Sequence, residues 1–138
     1  MSLLVGGAAL MAGLVGCRDA ASPRVAVFPV IGRVTFQGQP AAGAVVALHR
    51  RDGPSEDAPT PRASIDKDGT FRFTTFEGGD GAPVGQYVLT IQWHKLVKRG
   101  GDVVAGPNVM PRKYASPRTS DKLITVAAGE NDLKTIQL

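Results

Sequence analysis

Short runs in which apolar and polar residues alternate make up most of the chain after its first two dozen residues. In the clearest run, QYVLTIQWH, every second residue is apolar or aromatic, namely Tyr87, Leu89, Ile91 and Trp93. Successive side chains of a strand point to opposite faces, so this alternation predicts a strand with one buried and one wet face. After residue 17 no segment keeps the 3.6-residue period of an amphipathic helix over three turns.

The same alternation predicts further strands along the chain. They cover residues 30–37, 44–50, 70–75, 122–126 and 133–138, with shorter patterns at 25–28 and 62–65. The residues predicted to point inward are Val30, Val34, Phe36, Val46, Leu48, Phe71 and Phe73. Since no helices are available as crossovers, about seven short strands of this kind favour an antiparallel sandwich over a parallel α/β sheet.

Glycine and proline separate these runs and mark the turns. The chain has 17 Gly and 10 Pro, about a fifth of its residues against roughly 12% in average proteins. The segment DKDG, Asp66–Gly69, is typical of a hairpin turn, in which Asp bonds the local backbone and Gly takes a positive φ. It also matches part of a calcium loop. Such a loop needs further oxygen ligands and a Glu at its twelfth position, whereas here a strand begins, so a turn is favoured.

Three segments together resemble a known family. GRVTFQGQPAAGAVVAL (32–48), SIDKDGTFRF (64–73) and PVGQYVLTIQW (83–93) are similar to the carboxypeptidase regulatory-like, or transthyretin-like, β-sandwich. The resemblance implies an all-β, antiparallel Ig-like sandwich whose members mostly have accessory rather than catalytic roles. Residues 111–133 resemble the ending of small bacterial lipoproteins built on this sandwich. One branch of the fold hydrolyses a purine-breakdown intermediate, but its Tyr-Arg-Gly-Ser ending is not found here.

The first sixteen residues, MSLLVGGAALMAGLVG, contain no charged side chain. The run is short for a membrane span, which needs roughly 20 residues, and it fits the apolar region of a signal peptide. Leu14-Val15-Gly16-Cys17 resembles the lipobox of bacterial lipoproteins. That resemblance implies cleavage between Gly16 and Cys17 and acylation of Cys17. The alternatives are an ordinary secretory signal or a buried helix, with Cys17 as an incidental free thiol.

These features divide the chain into three parts. Residues 1–16 are expected to form a lipoprotein signal peptide, 17–28 the lipidated cysteine and a short tether, and 29–138 the β-sandwich. Two or three acyl chains hold a protein at a membrane far more durably than one. We therefore expect a location in the cell envelope. Because Arg18 rather than Asp follows the cysteine, the lipoprotein resemblance favours the outer membrane or cell surface over the inner membrane.

Cys17 is the only cysteine in the 138 residues, so no disulfide can form within the chain. Roughly 120 residues are enough to bury a core without one. The formal net charge is +4, and basic residues are concentrated in the segment 95–121, which is expected to be an extended connection. Its candidate ligand-binding residues are Lys98, Arg99, Arg112 and Lys113. They suit an acidic polysaccharide, a small anionic ligand or anionic lipid; an ordinary solvated loop is the alternative.

Catalytic and metal-binding patterns are not found. The two histidines, His49 and His94, each lie at the end of a predicted strand and have no zinc-ligand spacing. No serine lies in a Gly-x-Ser-x-Gly elbow, and the Gly-rich stretches lack the Gly-Lys-Ser/Thr of a phosphate-binding loop. We expect no catalytic residue, metal or cofactor. Nucleic acid is not expected either, because most of the aromatic residues lie on predicted inward faces.

The sequence thus favours a monomeric, non-enzymatic module with a structural or protein-interaction role. Its expected partners are the membrane, through acylated Cys17, and an envelope protein or glycan. The alternative function is binding of an acidic polysaccharide or small ligand through the basic segment 95–121.

Overall fold

The computed structural model describes residues 24–54 and 58–138, and these form two β-sheets and a separate hairpin. Gly16, Cys17 and the predicted signal peptide lie outside the described residues. The strands are β1 (Val30–Phe36), β2 (Gln39–Pro40), β3 (Val45–Arg50), β4 (Arg62–Ser64), β5 (Thr70–Arg72), β6 (Gly85–Gln92), β7 (His94–Arg99), β8 (Asp102–Asn108), β9 (Leu123–Val126) and β10 (Asn131–Gln137). A single-turn 3₁₀ helix, Arg112–Ala115, lies between β8 and β9.

The first sheet is built around β1. β10 runs parallel to β1 on one side, and β5 and β2 pair antiparallel with it. Val30 and Val34 of β1 are fully buried, as the alternation predicts. Between them, Gly32 leaves space for a neighbouring ring: a Cβ at this position would lie 2.7 Å from Cζ of Phe71. The glycine therefore allows β5 to place its aromatic side chain directly against β1.

The second sheet has the order β4-β3-β6-β9 and is antiparallel throughout. Its predicted inward residues on β3 and β6 are at most 1% exposed, namely Val46, Leu48, Tyr87, Leu89 and Ile91. Burial of each such side chain contributes about 1.5–3 kcal/mol of transfer free energy. The alternation in the sequence therefore identifies the faces of both central strands correctly.

The core lies between the two sheets and includes residues from outside the strands. Phe71 and Phe73 meet edge to face, with ring centroids 5.2 Å apart. Met110 and Tyr114, which follow the hairpin, are 3% and 7% exposed and belong to the same buried cluster. Through these two residues, the segment after β8 is fixed against β6.

The turn at Asp66–Gly69 forms as expected. The Gly69 N–H donates to the Asp66 carbonyl at 2.9 Å, and Gly69 has a φ of 86°. Asp68 Oδ1 accepts hydrogen bonds from both the hydroxyl and the N–H of Thr70, at 2.6 and 3.1 Å. These bonds hold the pKa of the Asp68 carboxyl below its usual range. The carboxylate is thus occupied by the turn itself, which supports the turn interpretation over a calcium loop.

The expected all-β sandwich is confirmed, with three differences in detail. There are ten strands among the described residues rather than about seven, and one strand pair is parallel. The prediction that 95–121 is an extended connection is wrong, because β7 and β8 pair as a hairpin. Its two-residue turn, Gly100-Gly101, has φ of 59° and 86°, which favours tight antiparallel hairpins. Within residues 24–54 and 58–138, none of the helices is long and apolar enough to cross a bilayer.

Candidate binding surfaces

The β7–β8 hairpin projects from the sandwich. Among the strands of residues 24–54 and 58–138, β7 and β8 pair only with each other, and all six residues of β7 are exposed. At its base, the Trp93 N–H donates to Oδ1 of Asn108 at 2.9 Å and the Val109 N–H donates to the Trp93 carbonyl at 2.9 Å. These bonds continue β6 directly into the hairpin.

The hairpin combines exposed aliphatic and basic side chains. On one face, Leu96 is 73% exposed and lies opposite Ala105, while Lys98 lies opposite Val103, which is 60% exposed. The other face carries Val97, Val104, Arg99 and Asp102. An isolated two-stranded hairpin is only marginally stable in water, and both its outer edges leave backbone groups unpaired. These properties are typical of a surface that binds a partner.

The four predicted ligand-binding cations do not form one cluster. Lys98 and Arg99 lie next to the hairpin turn, whereas Arg112 and Lys113 belong to the 3₁₀ helix, which packs on β6 beyond the hairpin base. A strand of six or seven residues at about 3.3 Å per residue separates the two pairs by about 20 Å. Lys113 also has nearby partners, since its Nζ lies 4.8 Å from the Tyr114 ring centroid and 3.9 Å from Asp121.

The hairpin and the first described residues, 24–29, here called the N-terminal segment, lie at opposite ends of the sandwich. Phe28 pairs with Ala82 just before β1 and β6 begin. At the other end of these strands, the rings of Phe36 and Trp93 meet edge to face, 6.4 Å apart. The chain therefore enters the sandwich at the start of β6, and the hairpin leaves it at the end of β6.

The two histidines are also far apart. His49 pairs with Val88 across β3 and β6, whereas His94 begins β7 and its ring Nδ1 lies 2.8 Å from the Gly106 carbonyl oxygen. Six residues of extended strand between Val88 and His94 correspond to about 20 Å. Among the described residues, no three His, Cys, Asp or Glu side chains gather as metal ligands would.

A cleft of about 670 Å³ lies at the end of the sandwich where the chain enters. β3 and β6 form the floor of this cleft, here called the arginine cleft, and residues 53–54, 58–61 and 117–118 form its sides. Among the described residues that line it, the basic side chains are His49, Arg50, Arg51 and Arg118, and the prolines are Pro54, Pro59, Pro61, Pro83 and Pro117. The volume is within the range of about 300–1,000 Å³ that is typical of small-ligand sites.

Two of the arginines in the cleft are held by neighbours. Arg50 Nε lies 3.5 Å from Oδ1 of Asp52, and the Arg50 guanidinium stands over the Tyr87 ring at 5.7 Å. Arg51 Nη1 donates to Oε1 of Gln86 at 3.2 Å. Neither arginine was predicted from the sequence to bind a ligand. In the sequence, two adjacent arginines at a strand end before a Pro-rich segment could have indicated a binding site. No local sequence pattern connects them to Arg118.

His49 lies on the floor of the cleft, half-buried. Its Nε2 is 2.9 Å from Oγ1 of Thr90, which is only 5% exposed. Burial, and then the positive charge of Arg62, lower the pKa of His49 below its usual value. The imidazole is therefore neutral at pH 7 and takes part in a side-chain hydrogen bond across β3 and β6.

Several solved structures of other proteins are similar to this chain, among them the following two. One is the crystal structure of a candidate carbohydrate-binding protein from Pseudomonas aeruginosa, which is 18% identical, with a TM-score of 0.42 over 85% of this chain and 93% of that one. The other is a 9R-lipoxygenase from Cyanothece PCC8801, 12% identical, with a TM-score of 0.41 over 88% of this chain and 18% of that one. No protein-family model matches the chain, and no curated protein matches it either.

Proposed function

We propose that this protein is a lipid-anchored, non-enzymatic β-sandwich of the cell envelope that binds another envelope protein through the β7–β8 hairpin. The observation that carries the proposal is the hairpin itself, which exposes Leu96 and Val103 beside basic residues at the end of the sandwich opposite the N-terminal segment. A tether at Cys17 would hold the other end at the membrane, so the hairpin would point away from the lipid.

Two further observations support this proposal. The motif Leu14-Val15-Gly16-Cys17 at the end of an uncharged run supports the lipid anchor. The separation of His49 from His94 supports a non-catalytic role, because a general base and its partner groups must come within hydrogen-bonding reach of one substrate.

The lipid anchor is tested by cell fractionation. Wild-type protein is expected in the membrane fraction and Cys17→Ala in the soluble fraction, because the variant lacks the acylated sulfur. Mass spectrometry of the mature wild-type protein should find an acylated N-terminal cysteine. Equal distribution of the two proteins, or a free thiol at Cys17, would remove the anchor from the proposal.

The hairpin is tested separately, by photo-cross-linking in intact cells. A photoreactive amino acid at Leu96 or Val103 is expected to give the same cross-linked partner protein. The matched control is the same amino acid at Glu130, an exposed turn residue of the sandwich. A partner found from all three positions, or from none, would contradict binding through the hairpin.

The second candidate function is binding of an acidic polysaccharide by the basic residues of 95–121, which the exposure of Lys98 and Arg99 favours. It predicts retention on an anionic matrix that weakens steeply with added salt. Charge reversal at Lys98, Arg99, Arg112 and Lys113 should abolish this retention, and unchanged retention would exclude the function.

A further inference from the structure

We infer that the partner protein contributes an extended, acidic segment, which adds as a third strand along the outer edge of β7 at Leu96 and Lys98. This inference rests on the proposed function and deepens it, because it names the chemistry of the partner at the hairpin. Addition of a peptide strand to an exposed sheet edge is a recurrent mode of recognition. In this mode backbone hydrogen bonds give affinity and side-chain contacts give specificity.

The backbone of β7 directs the groups of two residues away from β8. In an antiparallel pair, the backbone groups of successive residues point alternately toward the partner strand and away from it. The Lys95 carbonyl oxygen points toward β8, since a Cβ on Gly106 would lie 2.8 Å from it. By alternation, the groups of Val97 also point toward β8. The N–H and C=O groups of Leu96 and Lys98 therefore point outward, and both residues are exposed.

The outer edge of β8 is less suited to pairing with a further strand. Along it, Gly106 and Pro107 together lie opposite the single residue Lys95, which forms a bulge. Pro107 has no N–H to donate, and bulges and prolines are features that prevent pairing at sheet edges. The edge of the hairpin that can accept a strand is therefore that of β7.

The charges of β7 favour an acidic segment. The cations of this strand are all exposed, namely Lys95, Lys98 and Arg99. None of the three forms an ion pair among the described residues, and Asp102 is the only carboxylate in residues 94–108. Pro54 and Ala58, between which the described chain is interrupted, both line the arginine cleft at the other end of the sandwich. Carboxylates directly opposite these cations would stabilise the pairing.

The order of side chains along β7 determines which segment fits best. Leu96 and Val97, one on each face, would each lie opposite an apolar residue. Lys95, Lys98 and Arg99 would lie opposite carboxylates. In antiparallel register the matching segment is Glu-Glu-Val-Val-Glu, and the probe is the peptide Thr-Glu-Glu-Val-Val-Glu-Thr with both ends blocked.

A second copy of this chain fits the same edge poorly. Pairing of β7 with another β7 would place cations opposite cations, which destabilises a strand pair. Pairing with the β8 of another copy would meet the bulge at Gly106 and Pro107. Analytical ultracentrifugation should therefore find a monomer, and self-association that Lys98→Pro abolishes would overturn the inference.

Binding of the peptide is tested by NMR titration of the full chain carrying Cys17→Ala. We expect saturable shifts of the Leu96 and Lys98 amide signals. In the complex these two amides should exchange with solvent at least about 5-fold more slowly, because each donates to the peptide. The Val97 amide, which already faces β8, should change little. No saturable shift at millimolar peptide would overturn the inference.

Two further probes separate strand addition from attraction between charges. The first is the same peptide N-methylated at its second glutamate and second valine, which lie opposite Lys98 and Leu96. It keeps all three carboxylates but cannot complete the backbone hydrogen bonds, so we expect no saturable binding. The second is polygalacturonate, an acidic polysaccharide without a peptide backbone, for which we also expect none at these amides. Binding of either probe as strong as that of the peptide would overturn the inference.

Variants at the two edges locate the added strand. Lys98→Gln should weaken peptide binding about 3-fold, through loss of an exposed ion pair. Lys98→Pro also removes the outward N–H and should weaken binding at least about 10-fold. Val103→Pro is the matched control, since Val103 lies opposite Lys98 and its N–H points outward from β8; we expect unchanged binding. Equal losses in the two proline variants would contradict the inference. Retained Val97 and Val104 amide signals show that the hairpin still forms.

Photo-cross-linking in intact cells distinguishes this inference from the proposed function. With the photoreactive amino acid at Leu96, Lys98→Pro should lose the partner protein that Val103→Pro retains. A partner retained by both variants would overturn strand addition at β7 and leave the proposed function in place. No partner even without these substitutions would defeat the proposed function, and the inference with it.

Discussion

At the scale of single residues, Gly81 determines how the chain begins the sandwich. It has a φ of 107°, and its N–H donates to the Phe73 carbonyl at 2.9 Å. A Cβ at this position would lie 1.7 Å from the carbonyl oxygen of Phe28. No rearrangement of a flexible side chain can relieve this contact, because the clash is with backbone. The pairing of Phe28 with Ala82 therefore requires glycine at 81.

We expect Gly81→Ala to lower the free energy of unfolding by at least about 2 kcal/mol, from the positive φ and the backbone contact together. Urea denaturation of the full chain with Cys17→Ala measures the change. The control is Gly78→Ala, since a Cβ there meets nothing within 4 Å and the loop position is exposed. Similar unfolding free energies for the two variants would contradict this account.

His49 is expected to make stability depend on pH. Its pKa in the folded protein lies below the unfolded value of 6.5, because burial and Arg62 disfavour the charged imidazole. The unfolded chain then binds more protons in the window from 6.5 down to the folded pKa. The contribution of neutral His49 to the free energy of unfolding is therefore fully present above pH 6.5, and it is lost as the pH falls through that window.

Unfolding free energies measured between pH 7.5 and 5 test this expectation. His49→Gln should remove the part of the acid sensitivity that belongs to this residue, and NMR titration of the His49 ring should give a midpoint below 6.5. A midpoint above 6.5 would contradict a lowered pKa of His49. A variant whose stability falls with acid as much as that of the wild type would contradict the contribution of His49 to this fall.

At the scale of strands, the alternation of apolar and polar residues in the sequence predicted which strand faces are buried. Burial of one face requires every second residue to be apolar, so the inward sides of β1, β3 and β6 are visible in the sequence, as Val34, Leu48 and Leu89 show. In β7 and β8 only Gly106 is buried, and the alternation of apolar and polar residues in these strands is therefore weak. The sequence feature that indicates β7 and β8 is the Gly100-Gly101 turn between two valine-containing runs. This feature predicts a hairpin but does not require either of its faces to be buried.

The arginine cleft could not be predicted from the sequence, for a different reason. Arg50 and Arg118 lie 68 positions apart by their numbers. Their segments meet because β3 pairs with β6 and the Ser120 hydroxyl donates to the Leu89 carbonyl of β6. No local sequence pattern indicates a contact between residues so far apart along the chain. The four cations predicted to bind a ligand all come from residues 95–121. In the structure, two of them lie beside the hairpin turn and the other two lie in the 3₁₀ helix beyond the hairpin base.

We expect the hairpin to open without the rest of the molecule. Amides in the middle of β7 and β8 should exchange with solvent at least about 10-fold faster than those of the β3–β6 pair, because few buried contacts support the hairpin. Hydrogen exchange followed by NMR at pH 7 measures both sets at once. Equal protection of the two strand pairs would mean that the hairpin is stabilised by contacts other than its own pairing.

At the scale of the whole molecule, the two candidate surfaces lie at opposite ends. The arginine cleft is next to Phe28 and the N-terminal segment, and the hairpin turn lies beyond the far end of β6. At about 3.3 Å per residue, β6 and β7 together separate these ends by up to about 45 Å. A lipid anchor at Cys17 would therefore place the arginine cleft, on average, nearer the membrane than the hairpin.

This arrangement predicts a difference in distance from lipid. Acylation would consume the thiol of Cys17, so a single introduced cysteine can be labelled with a fluorophore. In proteoliposomes, headgroup-attached quenchers should reduce the fluorescence of a label at Gly78→Cys at least about 2-fold more than at Lys98→Cys, because quenching falls steeply with distance. The same labels on the Cys17→Ala protein are the control. Equal or reversed quenching would contradict the proposed orientation.

The parallel pairing of β1 with β10 joins residues 30–35 to residues 131–137. During synthesis, β1 therefore emerges about a hundred residues before one of its three partner strands exists. Contacts between such distant parts of a chain form slowly and late, so the nascent polypeptide cannot complete its first sheet until its last turn, Ala127–Asn131, has been made. For a protein exported to the cell envelope, as proposed here, this delay would keep the first sheet open while the chain passes through a translocation pore. The sandwich would then close only after export.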